Sequence, residues 1–476
     1  MGAVFAQGVR PSSPLTLDPN CAMEGETVPT ANFSRRDLLR GAGVVPLIGT
    51  ATAAGAYQPT SVAALKGSAK SVVIPTHEWW GNRDERLDFP SNWEINVQEP
   101  AGYNAPVLTP QQISQQLGKP IGTKTLREIA AGRKTAVVTF DDITRGTPVW
   151  AIAPWVVSEL KAAGVKEDRI LFLCAVGSHR MNFREDIKKK LGTEIASRYA
   201  HQVHSCYVNL KKVGVTKWKT PVSLNQTFLE ADLRVCISGL KVHENVGYGG
   251  GAKSILPGVA SLETITYNHN LFFGKNPTTG PLKVFKNELH LDMLEAARMA
   301  NVGFTAQVIY NKKLQPTHVF SGDIGEAHHT AVRAAAKHWG TPTFKGADIV
   351  VANGYPLDTQ ANQAQGWIRR SVKDGGTGVL VIQHPLLVDY IHGWLNQEAG
   401  RDGAGYFTQL DRIGATQPAG KNGPRFGLVV YSQYMDKTQM NTYPKGTLFA
   451  TKGQLKINFT DSVQWCSSIS VGWCCV

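Results

Sequence analysis

Three apolar runs in this 476-residue sequence hand over, without a spacer, to ionisable residues. Thr135 to Phe140 (T-A-V-V-T-F) is followed by D-D-I-T-R, and Ile170 to Val176 (I-L-F-L-C-A-V) by G-S-H-R. Leu233 to Leu240 (L-R-V-C-I-S-G-L) is followed by K-V-H-E-N-V-G-Y-G-G-G-A-K. The residue types gathered there are those of a reactive centre. Imidazoles titrate near neutral pH, so His179 and His243 can each take or give a proton. Arg145 can steady a carboxylate or a developing oxyanion. Lys253 closes a glycine-rich turn, and a lysine held against a ligand in a desolvated site can form a covalent link. A single histidine of this kind reads better as a scaffold residue bonded into the core. Three strand ends carrying such clusters read as a site.

The elements that must position these residues follow from the pattern. Short apolar runs alternate with helical segments, as in an α/β protein with a largely parallel sheet. Ligands of such sheets bind beyond the carboxyl ends of the strands, where the loops converge. Asp142, Thr144, Arg145, His179, His243 and Lys253 are therefore expected to face one crevice. A helix is expected from Pro148 to Ala163, with Trp150, Ile152, Trp155, Val156 and Leu160 near helical spacing. A second α/β unit begins near Thr343, with strands at Ala347 to Asn353, Gly378 to Gln383 and Phe426 to Ser432. The resulting expectation is two α/β lobes with a ligand cleft between them. Residues 57–340 would form the cofactor-binding domain and 341–455 the second. The tail, 456–476, is expected to return to the first.

The run Gly247 to Ser254, G-Y-G-G-G-A-K-S, misses a phosphate-binding loop by one residue, Ala252 in place of the last glycine. Pro257 argues against that reading, because the helix of such a loop needs its backbone N–H groups there. Gly249, Gly250 and Gly251 instead let the backbone pass close to a ligand and direct Lys253 towards it.

Composition bounds the rest. Hydrophobic residues are 42% of the chain and charged ones 18%, an ordinary globular balance. The formal net charge is +13, but the basic residues are dispersed and no nucleic-acid-reading motif occurs, so nucleic acid is not an expected partner. Among the seven cysteines no C-x-x-C pair exists, which argues against a zinc ribbon or a thioredoxin-like site. Cys174 and Cys236 read as small buried hydrophobes. A disulfide in the tail, near Cys466, Cys474 and Cys475, is left open. His201 and His204 lie three apart with no third ligand near them, and are expected on a helix surface.

The N-terminus reads as an address. F-S-R-R-D-L-L-R at 33–40 precedes a weakly apolar stretch ending in Ala54-Gly55-Ala56, which resembles a twin-arginine export signal covering residues 1–56. The stretch is too short to span a bilayer as a helix. A periplasmic or otherwise exported protein, handled by the twin-arginine translocase, is the expectation. That route carries folded proteins, which suits a cofactor inserted before export.

With these residues assembled, the chain resembles the nickel-pincer lactate racemase family. The likeness is densest from His243 to His269, H-E-N-V-G-Y-G-G-G-A-K-S-I-L-P-G-V-A-S-L-E-T-I-T-Y-N-H. The family has a histidine, a lysine ten residues on and a nickel-binding histidine sixteen after that; His243, Lys253 and His269 coincide with all three. D-D-I-T-R and G-S-H-R match further family motifs, and G-Y-P-L-D with Gln363 resembles the second domain's contribution. The resemblance implies a nickel-pincer nucleotide, a pyridinium bis-thiocarboxylate mononucleotide carrying nickel. Lys253 would be its covalent tether and His269 its metal ligand, with Asp142, Thr144 and Gly249 to Gly251 around it. His179 and His243 would be the acid/base pair, while Arg145 and Gln363 would bind substrate. The implied reaction is inversion of a 2-hydroxy acid, the α-hydride moving to the cofactor and back. Enzymes that build the cofactor would be partners before export.

Two departures stand out. Gly366 occupies the place of a lysine expected to bind the substrate carboxylate, and a lost buried cation weakens such binding by about 2–5 kcal/mol. Either Arg369 or Arg370 substitutes, or the substrate is a larger 2-hydroxy acid or a sugar acid. Val242 replaces a common proline, a milder change. The competing readings are a nucleotide hydrolase built on Gly247 to Ser254, and an exported binding protein of the same fold without chemistry.

Overall fold

The computed structural model describes residues 69–179, 181–272, 276–341, 344–357, 362–383, 426–434, 448–450 and 468–473. The expected export signal, Arg35 and Arg36 included, and the cysteines of the tail lie outside them.

The expected α/β class is the observed one. The first six-stranded sheet runs, in spatial order, Pro316–Gly322, Phe304–Tyr310, Leu233–Gly239, Ala136–Asp141, Ile170–Ala175 and Ala200–Val203. All its pairings are parallel except that of Pro316–Gly322 with Phe304–Tyr310. Ala136–Asp141 is buried along almost its whole length, which explains its unbroken β-branched and aromatic run. It lies between Ile170–Ala175 and Leu233–Gly239, so the chain leaves it towards both sides of the sheet. A crevice opens at such a switch point, and it opens beyond Asp141, Ala175 and Gly239.

The helix observed over Val149–Ala162 covers this sheet with Val149, Ile152, Ala153, Val156, Val157 and Leu160. Trp150, expected on that stripe, is 42% exposed. It sits one position off the face that the 3.6-residue period sets. Trp155 is partly buried, its ring centroid 6.2 Å from that of Phe304.

The second sheet is parallel throughout, in the order Leu448–Ala450, Phe426–Tyr431, Val372–Val381, Ala347–Asn353, Ser468–Trp473 and Glu94–Gln98. Its composition differs from the expected division of the chain. Ser468–Trp473, from the tail, inserts between Ala347–Asn353 and Glu94–Gln98, so it pairs with the expected second unit on one side and with a strand from residues 57–340 on the other. Glu94–Gln98 pairs at its edge, and the hairpin Ala69–Thr76/Arg83–Pro90 packs Val72, Ile74, Leu87 and Phe89 against Ile349, Val351 and Val379. Strand pairing satisfies backbone groups from any distance along the chain, so a contiguous boundary at residue 340 does not describe the packing.

Candidate active site

The residues singled out at strand ends meet in one cavity, except Thr144, which does not line it and instead bonds to Asp142 from behind. Asp142, Arg145, His179, His243, Gly249, Gly250 and Lys253 all line it, with Asp141, Lys241, Ser238 and Tyr310. Leu357, in the loop after Ala347–Asn353, joins them.

His179 is held by a carboxylate. Its Nδ1 donates to Asp142 Oδ2 at 2.5 Å, and the Asp142 side chain is almost wholly buried. The other oxygen, Oδ1, accepts from the Thr144 amide at 2.8 Å and from the Thr144 hydroxyl. Burial pushes the Asp142 carboxyl up, but His179, its hydrogen bond and Arg145 outweigh it and keep the group ionised well below the usual range. Burial lowers the His179 ring against the pull of Asp142, so a neutral imidazole faces an ionised carboxylate. With Nδ1–H committed, the ring lone pair is on Nε2.

His243 is wired the opposite way. It sits in the short hairpin Val242–His243/Gly247–Tyr248, where its Nδ1 accepts the amide of Asn245 at 3.2 Å and that of Val246 at 3.5 Å. An amide can only donate, so Nδ1 carries the lone pair and Nε2 the hydrogen. One histidine thus presents an acceptor and the other a donor.

The glycine loop leads into a single 3₁₀ turn, Gly251–Ser254, and not into the α-helix that a phosphate-binding loop requires. Two of its glycines are required by packing. A Cβ on Gly250, at φ +87°, would lie 2.8 Å from the Gly239 carbonyl oxygen. One on Gly251, at φ +56°, would lie 2.7 Å from the His328 ring. Gly249 differs: a Cβ there would meet only the Lys241 carbonyl oxygen, at 3.7 Å. Burial, and then the neighbouring Arg145, bring the Lys253 ammonium down to about 7.

His269 lies on the helix Leu262–Phe272 and is not among the residues lining the cavity. It is nonetheless within electrostatic reach, since burial and then Lys253 and His179 lower its ring to about 3. Its Nδ1 donates to the Ile265 carbonyl one turn back at 2.9 Å, which leaves the lone pair on Nε2. The Gln363 side chain lies outside the described residues. Gly366 does not line the cavity, and neither do Arg369 and Arg370. Arg370 feels the carboxylate of Glu244 instead.

His204 corrects an expectation. It follows the strand Ala200–Val203, is fully buried, and bonds through Nε2 to Ala260 O at 2.9 Å and through Nδ1 to Asn225 at 3.3 Å. Both nitrogens are structural. Cys174 and Cys236 are buried free thiols, as expected.

Two contributions were missed. Lys190, in what reads as a solvated K-K-K run, is completely buried: its Nζ pairs with Asp141 at 2.8 Å and donates to the carbonyls of Arg145 at 2.7 Å and Thr147 at 3.0 Å. Together with Trp79, whose ring N–H donates to Arg145 O at 3.1 Å, it pins the loop that carries Asp142 and Arg145. No local signal marks either residue. Lys241 is the other, and it was findable: it stands at a strand end two residues before His243.

Known proteins resemble this chain in sequence and fold. A family model described as the lactate racemase N-terminal domain matches residues 80–280. The lactate racemase of Thermoanaerobacterium thermosaccharolyticum is 31% identical over 280 residues, 57% of this chain and 65% of that one. The lactate racemase of Lactiplantibacillus plantarum is 30% identical over 292 residues, 60% of this chain and 68% of that one. The structure of the lactate racemase apoprotein from the former organism matches with a TM-score of 0.64 at 23% identity, covering 84% of this chain and 97% of that chain. A crystal structure of a Thermotoga maritima protein matches with a TM-score of 0.58 at 19% identity, over 79% and 97%. At those identities the two structures speak to the fold. The sequence matches reach further, and on them this chain belongs to the lactate racemase family.

Proposed function

We propose that this protein is a racemase or epimerase of a 2-hydroxy acid, working with a nickel-pincer nucleotide linked to Lys253. The observation that carries the reading is the pair His179 and His243, lining one cavity in complementary tautomers. Inversion at a hydroxyl-bearing carbon needs one group to take the hydroxyl proton and another to serve the opposite face. A nucleotide hydrolase is disfavoured by the 3₁₀ turn after the glycines, and a bare binding protein by the buried Asp142–His179 pair.

The residues present fit the cofactor. An amine brought to about 7 is substantially unprotonated near neutral pH, as covalent attachment requires. His269 holds its lone pair on Nε2, the form that ligates a metal, and imidazole suits nickel. Gly249 adds no side chain where the loop borders the cavity. When bound, the group supplies a reversible acceptor for the substrate's α-hydride. His179 Nε2 takes the hydroxyl proton while Asp142 stabilises the resulting imidazolium. Arg145 offsets charge on the substrate oxygen, and His243 acts at the opposite face.

The test is a screen of 2-hydroxy and aldonic acids in heavy water, with protein co-expressed with the cofactor-making enzymes. Inversion without deuterium at the α-carbon is expected, together with stoichiometric nickel and a mass adduct on the Lys253 peptide. Deuterium incorporation would mean proton abstraction instead, and an unmodified Lys253 without nickel would remove the cofactor from the proposal.

Export through the twin-arginine route is proposed on the F-S-R-R-D-L-L-R motif. Replacing Arg35 and Arg36 by Lys should retain the protein in the cytoplasm; unchanged periplasmic yield would count against it.

A further inference from the structure

Lys241 is a buried cation that the reaction described above does not use. It is 8% exposed, it lines the cavity, and its Nζ has no hydrogen-bond partner among the described residues. The carboxylates that line the cavity beside it are already committed. Asp141 holds Lys190 at 2.8 Å and accepts from Thr147 Oγ1 at 2.5 Å, while Asp142 holds His179 and Thr144. An ammonium taken out of water without a counter-charge costs several kcal/mol, so the cavity is built to receive an anion.

The backbone fixes where that anion must be. The Gly249 amide donates to the Lys241 carbonyl at 2.8 Å, extending the hairpin ladder that carries His243. Neighbours in an extended segment alternate sides, so the Lys241 and His243 side chains share one side; Val242 between them also borders the cavity, while its side chain packs with Leu240 and Tyr248. In a 2-hydroxy acid the carboxylate carbon is bonded directly to the hydroxyl-bearing carbon. A group that handles the hydroxyl and one that grips the carboxylate must therefore be near neighbours. Neither Gly366, which has no side chain, nor Arg369 or Arg370 supplies a cation to the cavity lining.

We propose that Lys241 binds the substrate carboxylate and so determines that this enzyme takes acids. The inference rests on the 2-hydroxy acid reading above. The same chemistry could serve the phosphate of the nucleotide cofactor; the i, i+2 relation to His243 favours the carboxylate.

The experiment compares the loaded wild-type enzyme with Lys241→Met and Lys241→Arg, using oxalate as the probe in titration calorimetry. Lys241→Met should keep nickel content and the Lys253 adduct, and should weaken oxalate binding by about thirtyfold or more. Lys241→Arg should recover most of the affinity. The apoprotein of Lys241→Met should melt no lower than wild type, because an unpaired buried charge has been replaced by an apolar group of similar length. A lower melting temperature would assign Lys241 a structural role and overturn the proposal. Loss of nickel and adduct in Lys241→Met alone would assign it to the cofactor phosphate and likewise overturn it. Oxalate affinity equal in wild type and Lys241→Met, or no binding to either, would overturn it too. Failure of the wild type to acquire nickel or invert any acid is a different result and defeats the parent reading.

Discussion

At the scale of single residues, the site is defined by which nitrogen of each histidine is already spoken for. Asp142 decides this for His179, so Asp142→Asn should reduce turnover by about two to four orders of magnitude, since an amide can hold the ring in the wrong tautomer. Nickel content should stay at the wild-type level; loss of nickel in Asp142→Asn would shift its role from orienting His179 to holding the cofactor. Lys253 allows a test that needs no cofactor. An amine reacts only when unprotonated, so acylation of Lys253 in the apoprotein, followed by peptide mass, should rise as pH increases through about 7. A rise delayed to the pH of ordinary surface lysines would contradict the burial and Arg145 repulsion inferred for it.

At the scale of elements, the glycine loop shows why identical residues in a row have different tasks. Gly250 and Gly251 adopt positive φ and leave no room for a Cβ, so alanine at either position should cost about 1–3 kcal/mol from backbone strain and overpacking. Gly249→Ala should melt close to the wild-type temperature, because its new methyl meets only one atom, at ordinary contact distance. Thermal melts of the three apoproteins test this directly, and equal destabilisation by all three would refute it. The sequence shows three glycines and a lysine, from which both a phosphate loop and a tethering loop can be read. The 3₁₀ turn Gly251–Ser254 stands against the phosphate loop, and the need for glycine at 250 and 251 comes from the Gly239 carbonyl and from His328, on a helix more than seventy residues on, which no local window contains.

At the scale of the whole molecule, buried histidines make folding sensitive to acid. Burial lowers His204 and His290 from 6.5 to about 4. Between those values the unfolded chain binds protons that the folded chain refuses, so stability is greatest above about 6.5 and falls as pH drops towards 4. Each ring contributes up to about 3 kcal/mol to that fall. Urea midpoints should therefore decrease steeply from pH 7 to about pH 4.5, and a flat profile would show that the rings accept protons in the native state. Much of the site was legible from sequence, because a parallel α/β sheet converts a one-dimensional mark, polar residues directly after an apolar strand, into a shared place in space. That rule brought Asp142, Arg145, His179, His243 and Lys253 together, and applied to one more residue it includes Lys241. It could not assign the tautomers of the two histidines, the burial of Lys190 beneath Arg145, or the insertion of Ser468–Trp473 beside Ala347–Asn353. Those depend on partners far apart in the chain, and only packing that satisfies buried hydrogen-bonding groups and charges selects them.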